Sequence, residues 1–130
     1  MAAATPVYVV DDDHGILEST QFLLEMLGLK AETFSDPVAF LHKVRDLAPG
    51  CVLTDFSMPA MSGMDLKREL HARGIRWPVL LMSAHFNHES SRHLLDQGVF
   101  EFLEKPFTVA RLSEVLNGAF KILDKGRTAG

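Results

Sequence analysis

Five short runs of mostly apolar residues punctuate the chain: Val7–Val10, Lys30–Phe34, Cys51–Asp55, Pro78–Ser83 and Phe100–Glu104. Four are strongly apolar, the pattern of strands covered on both faces. The second, Lys-Ala-Glu-Thr-Phe, alternates, which suits a strand at a sheet edge. Between the runs the apolar positions fall at helical spacing. Ile16, Leu17, Thr20, Leu23, Leu24 and Leu27 make one stripe, and Gly28 closes it as a C-cap. Ser35 or Asp36 caps a second helix, with Pro37 in its first turn and Phe40, Leu41 and Val44 on its inner face. Ser62 caps a third, running through Leu66 and Leu70 to Gly74. A fourth covers roughly His88–Gln97 and stops at Gly98. The fifth starts at Thr108 and carries Leu112, Val115, Leu116, Ala119, Phe120 and Leu123 on one face.

Strand and helix therefore alternate five times, a (βα)5 pattern. Strand–helix–strand crossovers are right-handed, so the expected fold is α/β: a doubly wound, parallel five-stranded sheet with helices on both faces. The common five-stranded solution is the flavodoxin-like strand order 2-1-3-4-5. Residues 125–130, Lys-Gly-Arg-Thr-Ala-Gly, read as a tail or the start of a linker after a domain covering 1–124.

Composition narrows the possible functions. At 130 residues the chain is one domain's worth, and 47% hydrophobic with 23% charged residues is ordinary for a globular domain. A formal net charge of −4 argues against direct binding to nucleic acid, which draws most of its affinity from a basic face. One cysteine excludes an intrachain disulfide, and Cys51, opening an apolar run, reads as a small buried hydrophobe. No apolar run approaches the ~20 residues of a membrane span. The first residues lack the basic segment of a secretory signal, so a cytoplasmic location, with no membrane partner, is expected.

In open parallel sheets, ligands bind beyond the carboxyl ends of the strands. Here the first strand ends in Asp11-Asp12-Asp13, the third in Asp55, the fourth in Ser83-Ala84 and the fifth in Lys105-Pro106. Each group has an ordinary alternative. The aspartates can form a helix-capping turn, Asp55 a plain turn before Pro59, Ser83 a loop hydroxyl and Lys105 a solvated surface cation. Their convergence on one edge is the stronger signal. Asp11, Asp12 and Asp55 cannot lie together ionised without a counter-charge, and Lys105 alone is too little. An acidic site offering only oxygen calls for a hard divalent cation, most simply Mg2+. With a lysine and a hydroxyl beside it, such a site can hold a phosphoryl group, and Asp55 could be the nucleophile that receives it.

The sequence resembles the receiver domains of two-component response regulators from about Val7 to Leu123. The matching pieces are Val9–Asp13, Thr54–Pro59, Met61–Gly63, Leu81–Ala84 and Phe102–Phe107. The resemblance implies that Asp55 is the phosphoacceptor for a histidine kinase or phosphotransfer protein. It makes Asp12 a direct Mg2+ ligand, Asp11 a ligand through water, and Ser57 the residue whose backbone carbonyl completes the metal site. It makes Ser83 the switch hydroxyl, Phe102 the switch aromatic and Lys105 the partner of the phosphoryl group, with a cis bond before Pro106. It further implies a signalling domain rather than a turnover enzyme. Phosphorylation would reshape the face of the fourth helix, fifth strand and fifth helix, which could also form a homodimer. Ser83 stands where threonine is frequent and Phe102 where tyrosine is frequent; Ser57 and His85 lie where the family tunes dephosphorylation.

Rival readings make distinct demands. A haloacid-dehalogenase-type phosphatase would use Asp11 as nucleophile and Asp13 as acid, leaving Asp55 unexplained. A flavin-binding module would need a phosphate loop where the three aspartates stand. A degenerate receiver would keep the fold as a binding module only, against a full set of site residues. His85, His88 and His93, at spacings of 3 and 5, do not share one helical face and read as surface or loop histidines. Met58, Met61, Met64 and Met82 read as gap-fillers near the motifs.

Overall fold

The computed structural model describes residues 5–84 and 88–129, with side chains for all of these but 88–91 and 125–129. Strands β1 (Val7–Val10), β2 (Ala31–Phe34), β3 (Cys51–Asp55), β4 (Val79–Ser83) and β5 (Glu101–Glu104) alternate with helices α1 (His14–Met26), α2 (Pro37–Lys43), α3 (Gly63–Ala72), α4 (His88–Asp96) and α5 (Val109–Ala129). A short 3-10 turn at Val44–Asp46 follows α2. The sheet is parallel throughout and its order is β2-β1-β3-β4-β5, as the alternation predicts. The alternating strand β2 does lie at an edge and is only partly buried.

In β1, β3 and β4 the near-continuous apolar runs follow from burial on both sides, whereas β5, expected to be covered likewise, lies at the other edge and is only partly buried. Val7 and Val9 face one layer with Leu17 and Leu24 of α1 and Leu112 and Leu116 of α5. Tyr8 and Val10 face the other, with Phe40 of α2, Leu66 and Leu70 of α3 and Leu94 of α4. Neighbouring residues of one strand thus enter different cores, so both are apolar or have their polar atom satisfied. The second layer also holds an aromatic group. Tyr8 stacks on Trp77 at 5.6 Å between ring centres, and Phe34 meets Phe40 edge-on at 5.0 Å. The Tyr8 hydroxyl donates to the Ala48 carbonyl, which satisfies its one polar atom.

Boundaries shift where polar chemistry overrides hydrophobic period. Helix α1 begins at His14 because the Asp13 carboxylate accepts from the Gly15 and Ile16 amides. Asp36, rather than Ser35, caps α2 through the Val38 amide. Lys30, Pro78 and Phe100 fall just outside the assigned strands, yet each bonds a neighbouring strand through its backbone. Gly28 ends α1 at a φ of 76°, a conformation open to glycine without strain. Helix α5 continues to Ala129, through most of the stretch whose composition suggests a tail. Once nucleated, a helix propagates at little cost per residue, even where no apolar stripe holds it down. No helix among the described residues is long and apolar enough to cross a membrane.

Candidate functional site

The carboxyl ends of β1, β3, β4 and β5 bring together the groups that the sequence singles out. Asp11 follows β1, and its amide bonds the Phe34 carbonyl at 3.1 Å, which holds it at the sheet edge. Its carboxylate accepts the Asp13 amide at 2.9 Å, a local turn that fixes the side chain's direction. Asp55 is the last residue of β3 and pairs in register with Met82 of β4. The next amide, Phe56, bonds the Met82 carbonyl at 2.8 Å. Lys105 is aimed by its own backbone, whose amide donates to the Ser83 carbonyl at 2.8 Å. The Lys105–Pro106 bond is cis.

From there the Lys105 ammonium reaches two carboxylates at once. Its Nζ lies 3.0 Å from Asp55 Oδ1 and 3.1 Å from Asp11 Oδ2. Asp11 is only 1% exposed, Asp55 15% and Lys105 19%, so these charges interact with little water between them. Burial pushes the Asp11 carboxyl above its ordinary value, and repulsion from Asp55 adds to this; the Asp13 amide and the Lys105 ammonium hold it back. Burial would lower the Lys105 ammonium, but the hydrogen bonds and charges of Asp55 and Asp11 prevail and raise it. The lysine is a fixed cation.

One cation still faces three carboxylates. Ligand oxygens of Asp11, Asp12 and Asp55 lie within 4.8 Å of one another, and Asp12 is exposed to solvent. Two oxygens bonded to one Mg2+ can stand at most about 4.2 Å apart, twice the ~2.1 Å bond. The donor set therefore fits a hard cation, with a small contraction or with one carboxylate acting through water.

Ser83 ends β4, half-buried, in register with Glu104. Ser57 is exposed in the loop after β3. Phe102 sits mid-β5, half-buried, beside Leu81 in register and packed on the layer shared by α3 and α4. Its carbonyl accepts from Arg111 of α5 at 3.4 Å, and Arg111 also pairs with Glu101 at 3.7 Å. Asp13 is committed to capping α1, which leaves the phosphatase reading without its acid. His85 lies outside the described residues, as does the side chain of His88. His93 faces Gln97, just past the end of its helix, at 2.6 Å. Met58, Met64 and Met82 are buried and Met61 partly so, as gap-filling requires.

One contributor is hard to foresee from residue types alone. Gly63, the first residue of α3, donates to the Phe56 carbonyl at 2.9 Å. A Cβ there would lie 2.6 Å from the Asp55 carbonyl oxygen and 2.7 Å from Leu81 Cδ2. The start of α3 therefore rests directly on the backbone of Asp55. The glycine within Met61–Gly63 marks the place, but only the packing says what it touches.

The comparisons with known proteins agree with this geometry. Residues 7–117 match the response regulator receiver domain model. The chain belongs to that family. It is similar to the transcriptional regulatory protein FixJ of Azorhizobium caulinodans, at 39% identity over 86% of this chain and 53% of that protein. The solved response regulator StyR superposes with a TM-score of 0.87 at 32% identity, covering 98% of this chain and 64% of that one. The NtrC4 receiver domain, solved as a beryllofluoride-activated dimer, superposes at 0.81 with 27% identity, covering 89% and 96%. The chain spans about half the length of the curated relatives it matches. As a receiver domain it belongs to two-component signal transduction.

Proposed function

We propose that Asp55 is the phosphoacceptor of a switch operated by a histidine kinase or phosphotransfer protein. The observation that carries this reading is the Lys105 ammonium held between Asp11 and Asp55 at 3.1 and 3.0 Å. An Asp55 carboxylate oxygen attacks phosphorus. The new O–P bond forms as the donor's N–P bond breaks, and the freed imidazole keeps its electron pair. Asp12, Asp55 and the Ser57 carbonyl would hold Mg2+, with Asp11 acting through water. That cation would neutralise charge developing on the phosphoryl oxygens. Lys105 pairs with the transferred group, and the Ser83 hydroxyl donates to it. Asp11 keeps the lysine over the site.

The acyl phosphate adds charge and acceptor oxygens at the end of β3. Ser83 follows them, Phe102 takes the space vacated, and the α4–β5–α5 face changes shape by a shift between two packings. Through that face the domain controls an output domain or a partner, in the manner suited to relatives named as transcriptional regulators. The NtrC4 dimer supports a homodimer as one such output. The chain acts as a substrate of its kinase and assists only its own phosphorylation and dephosphorylation. Its place of work is the cytoplasm. The net charge of −4 favours a protein partner over nucleic acid for this domain.

The test is labelling with acetyl phosphate and Mg2+, read by intact-protein mass. The expected result is one added phosphoryl group in wild type, none in Asp55→Asn, and none after chelation of Mg2+. Equal labelling of Asp55→Asn overturns the assignment of the acceptor; undiminished labelling without a divalent cation overturns that of the metal.

A further inference from the structure

On the far side of α3 from its N-terminal cap, the molecule has a cleft of about 260 Å3 between the last turns of α3, the segment leading into β4 and the glycine after α4. Its floor is apolar, formed mainly by Leu70, Ile75 and Trp77, and its rim carries Lys67, His71 and Arg76. Among the described residues, no carboxylate lines it. That is unexpected in a chain with 17 acidic residues against 13 lysines and arginines.

Basic residues nearby are paired: Arg68 with Asp65 at 3.1 Å and with Gln97 at 3.1 Å, and Arg73 with Glu69 at 3.4 Å. Among the described residues, neither Lys67 nor Arg76 has an ion-pair or hydrogen-bond partner. Lys67 is nonetheless half-buried, its Nζ lying 3.1 Å from where a Cβ on Gly98 would stand. A cation drawn partly out of water without a counter-charge costs free energy that an anion would return. The cleft continues outward as a groove past Lys67 and His71 to Arg68 and Gln97, again without a carboxylate in its lining among the described residues.

We infer that this cleft binds a small organic anion with a planar apolar body, its charge between Lys67 and Arg76 and its body against Ile75 and Trp77. An apolar floor with a few convergent polar groups is the usual form of a small-molecule site. The charge arrangement sets the ligand's sign. The volume, below the range common for drug-sized ligands, limits it to about one ring with its anionic group. Bare inorganic phosphate would use the rim and leave the floor wet. A carboxylate and a phosphate ester share the required chemistry, and the experiment separates them.

The test uses the full chain without added metal and follows amide and indole resonances in two-dimensional NMR. Trp77 is the only tryptophan, so its indole N–H is a single reporter. The probes are benzoate, phenyl phosphate, inorganic phosphate and a hexaglutamate peptide. The expected result is saturable shifts at Trp77 and Gly98 with benzoate or phenyl phosphate. The stronger of the two identifies the anionic group. Inorganic phosphate should bind at least about tenfold more weakly than the better ring-bearing probe, and the Lys67→Ala/Arg76→Ala variant should bind that probe about tenfold more weakly than wild type. Arg76→Glu alone should act in the same direction, which guards against a folding defect in the double variant. The inference fails if no ring-bearing probe saturates, if shifts arise only at Asp12, Asp55 and Lys105, or if the double variant binds as wild type does. It also fails if hexaglutamate alone binds, since the cleft would then be a surface for an acidic protein segment.

Discussion

Along β1, four successive residues, Val7 to Val10, are buried with nothing to neutralise. One step further, at Asp11, the same chain buries a carboxylate to 1% exposure beside a second at Asp55. The body of the sheet and its carboxyl edge are thus built on opposite principles. In the body each side chain lowers the free energy of the fold by leaving water. At the edge, like charges are gathered where solvation is poor, and one lysine offsets only part of the cost. Stability is concentrated in the first region and reactivity in the second. The two meet within one step of the chain, from Val10 to Asp11.

The comparison can be broken most directly from the body side. Leu80→Ala removes a fully buried leucine from the layer under α1 and α5 and should lower stability by about 3 kcal/mol in denaturant titration. The fully labelled fraction of Asp55 with acetyl phosphate should be unchanged wherever the variant is folded. Reduced labelling of folded protein would show that the two regions are not separable.

Gly63→Ala tests the seam. Its new methyl must displace either α3 or the Asp55 carbonyl, so stability should fall by about 2 kcal/mol and the labelling rate should fall with it. Loss of stability at an unaltered rate would reduce the contact to packing alone.

Asp11→Asn tests the edge, with a smaller effect of opposite sign. Because burial raises the Asp11 carboxyl, folding disfavours its charged form relative to the unfolded chain. The amide should leave stability unchanged or raise it by up to about 1 kcal/mol, while weakening divalent-cation binding in calorimetry. A clear destabilisation would mean that the pairing with Lys105 outweighs burial.

The smallest effect is the pH slope of the same group. Below the ordinary value of 3.8, Asp11 is protonated in both states. Between 3.8 and its raised value the folded protein holds a proton that the unfolded chain has released. This contribution to stability therefore falls as pH rises through that window, and is lost above it. Divalent-cation affinity should rise over the same window, since the cation needs the carboxylate. Stability curves of wild type and Asp11→Asn should diverge there; parallel curves would remove Asp11 as the cause. Lys105 acts at the other extreme. Its raised value makes its contribution complete below 10.5 and lost as pH climbs through the raised value.

Much of this was legible before any coordinates. The (βα)5 order, the edge position of β2, the caps at Ser62 and Gly28, and the gathering of Asp11, Asp12, Asp55, Ser83 and Lys105 all follow from period, turn chemistry and the rule that ligands bind beyond strand ends. These signals are local in the chain, or depend on topology alone. The start of α1 was less legible, because His14 and Gly15 carry no apolar period and only the Asp13 carboxylate marks the entry. The run of α5 to Ala129 was illegible for the complementary reason: composition favours a tail, while a helix already formed extends cheaply.

The sequence by itself determined which residue types could meet: covered strands from unbroken apolar runs, and an acidic, oxygen-only site from three aspartates, a lysine and a hydroxyl. The tertiary structure alone decided how they meet. It turned Asp13 away to cap a helix, put Lys105 between Asp11 and Asp55, set Gly63 against the Asp55 carbonyl, and brought Lys67 and Arg76 to the rim of a cleft. The reason is physical. Hydrophobic period and turn propensity act over a few residues, whereas ion pairing, close packing and desolvation depend on distances between segments 50 or 94 residues apart, which are set only when the sheet is assembled.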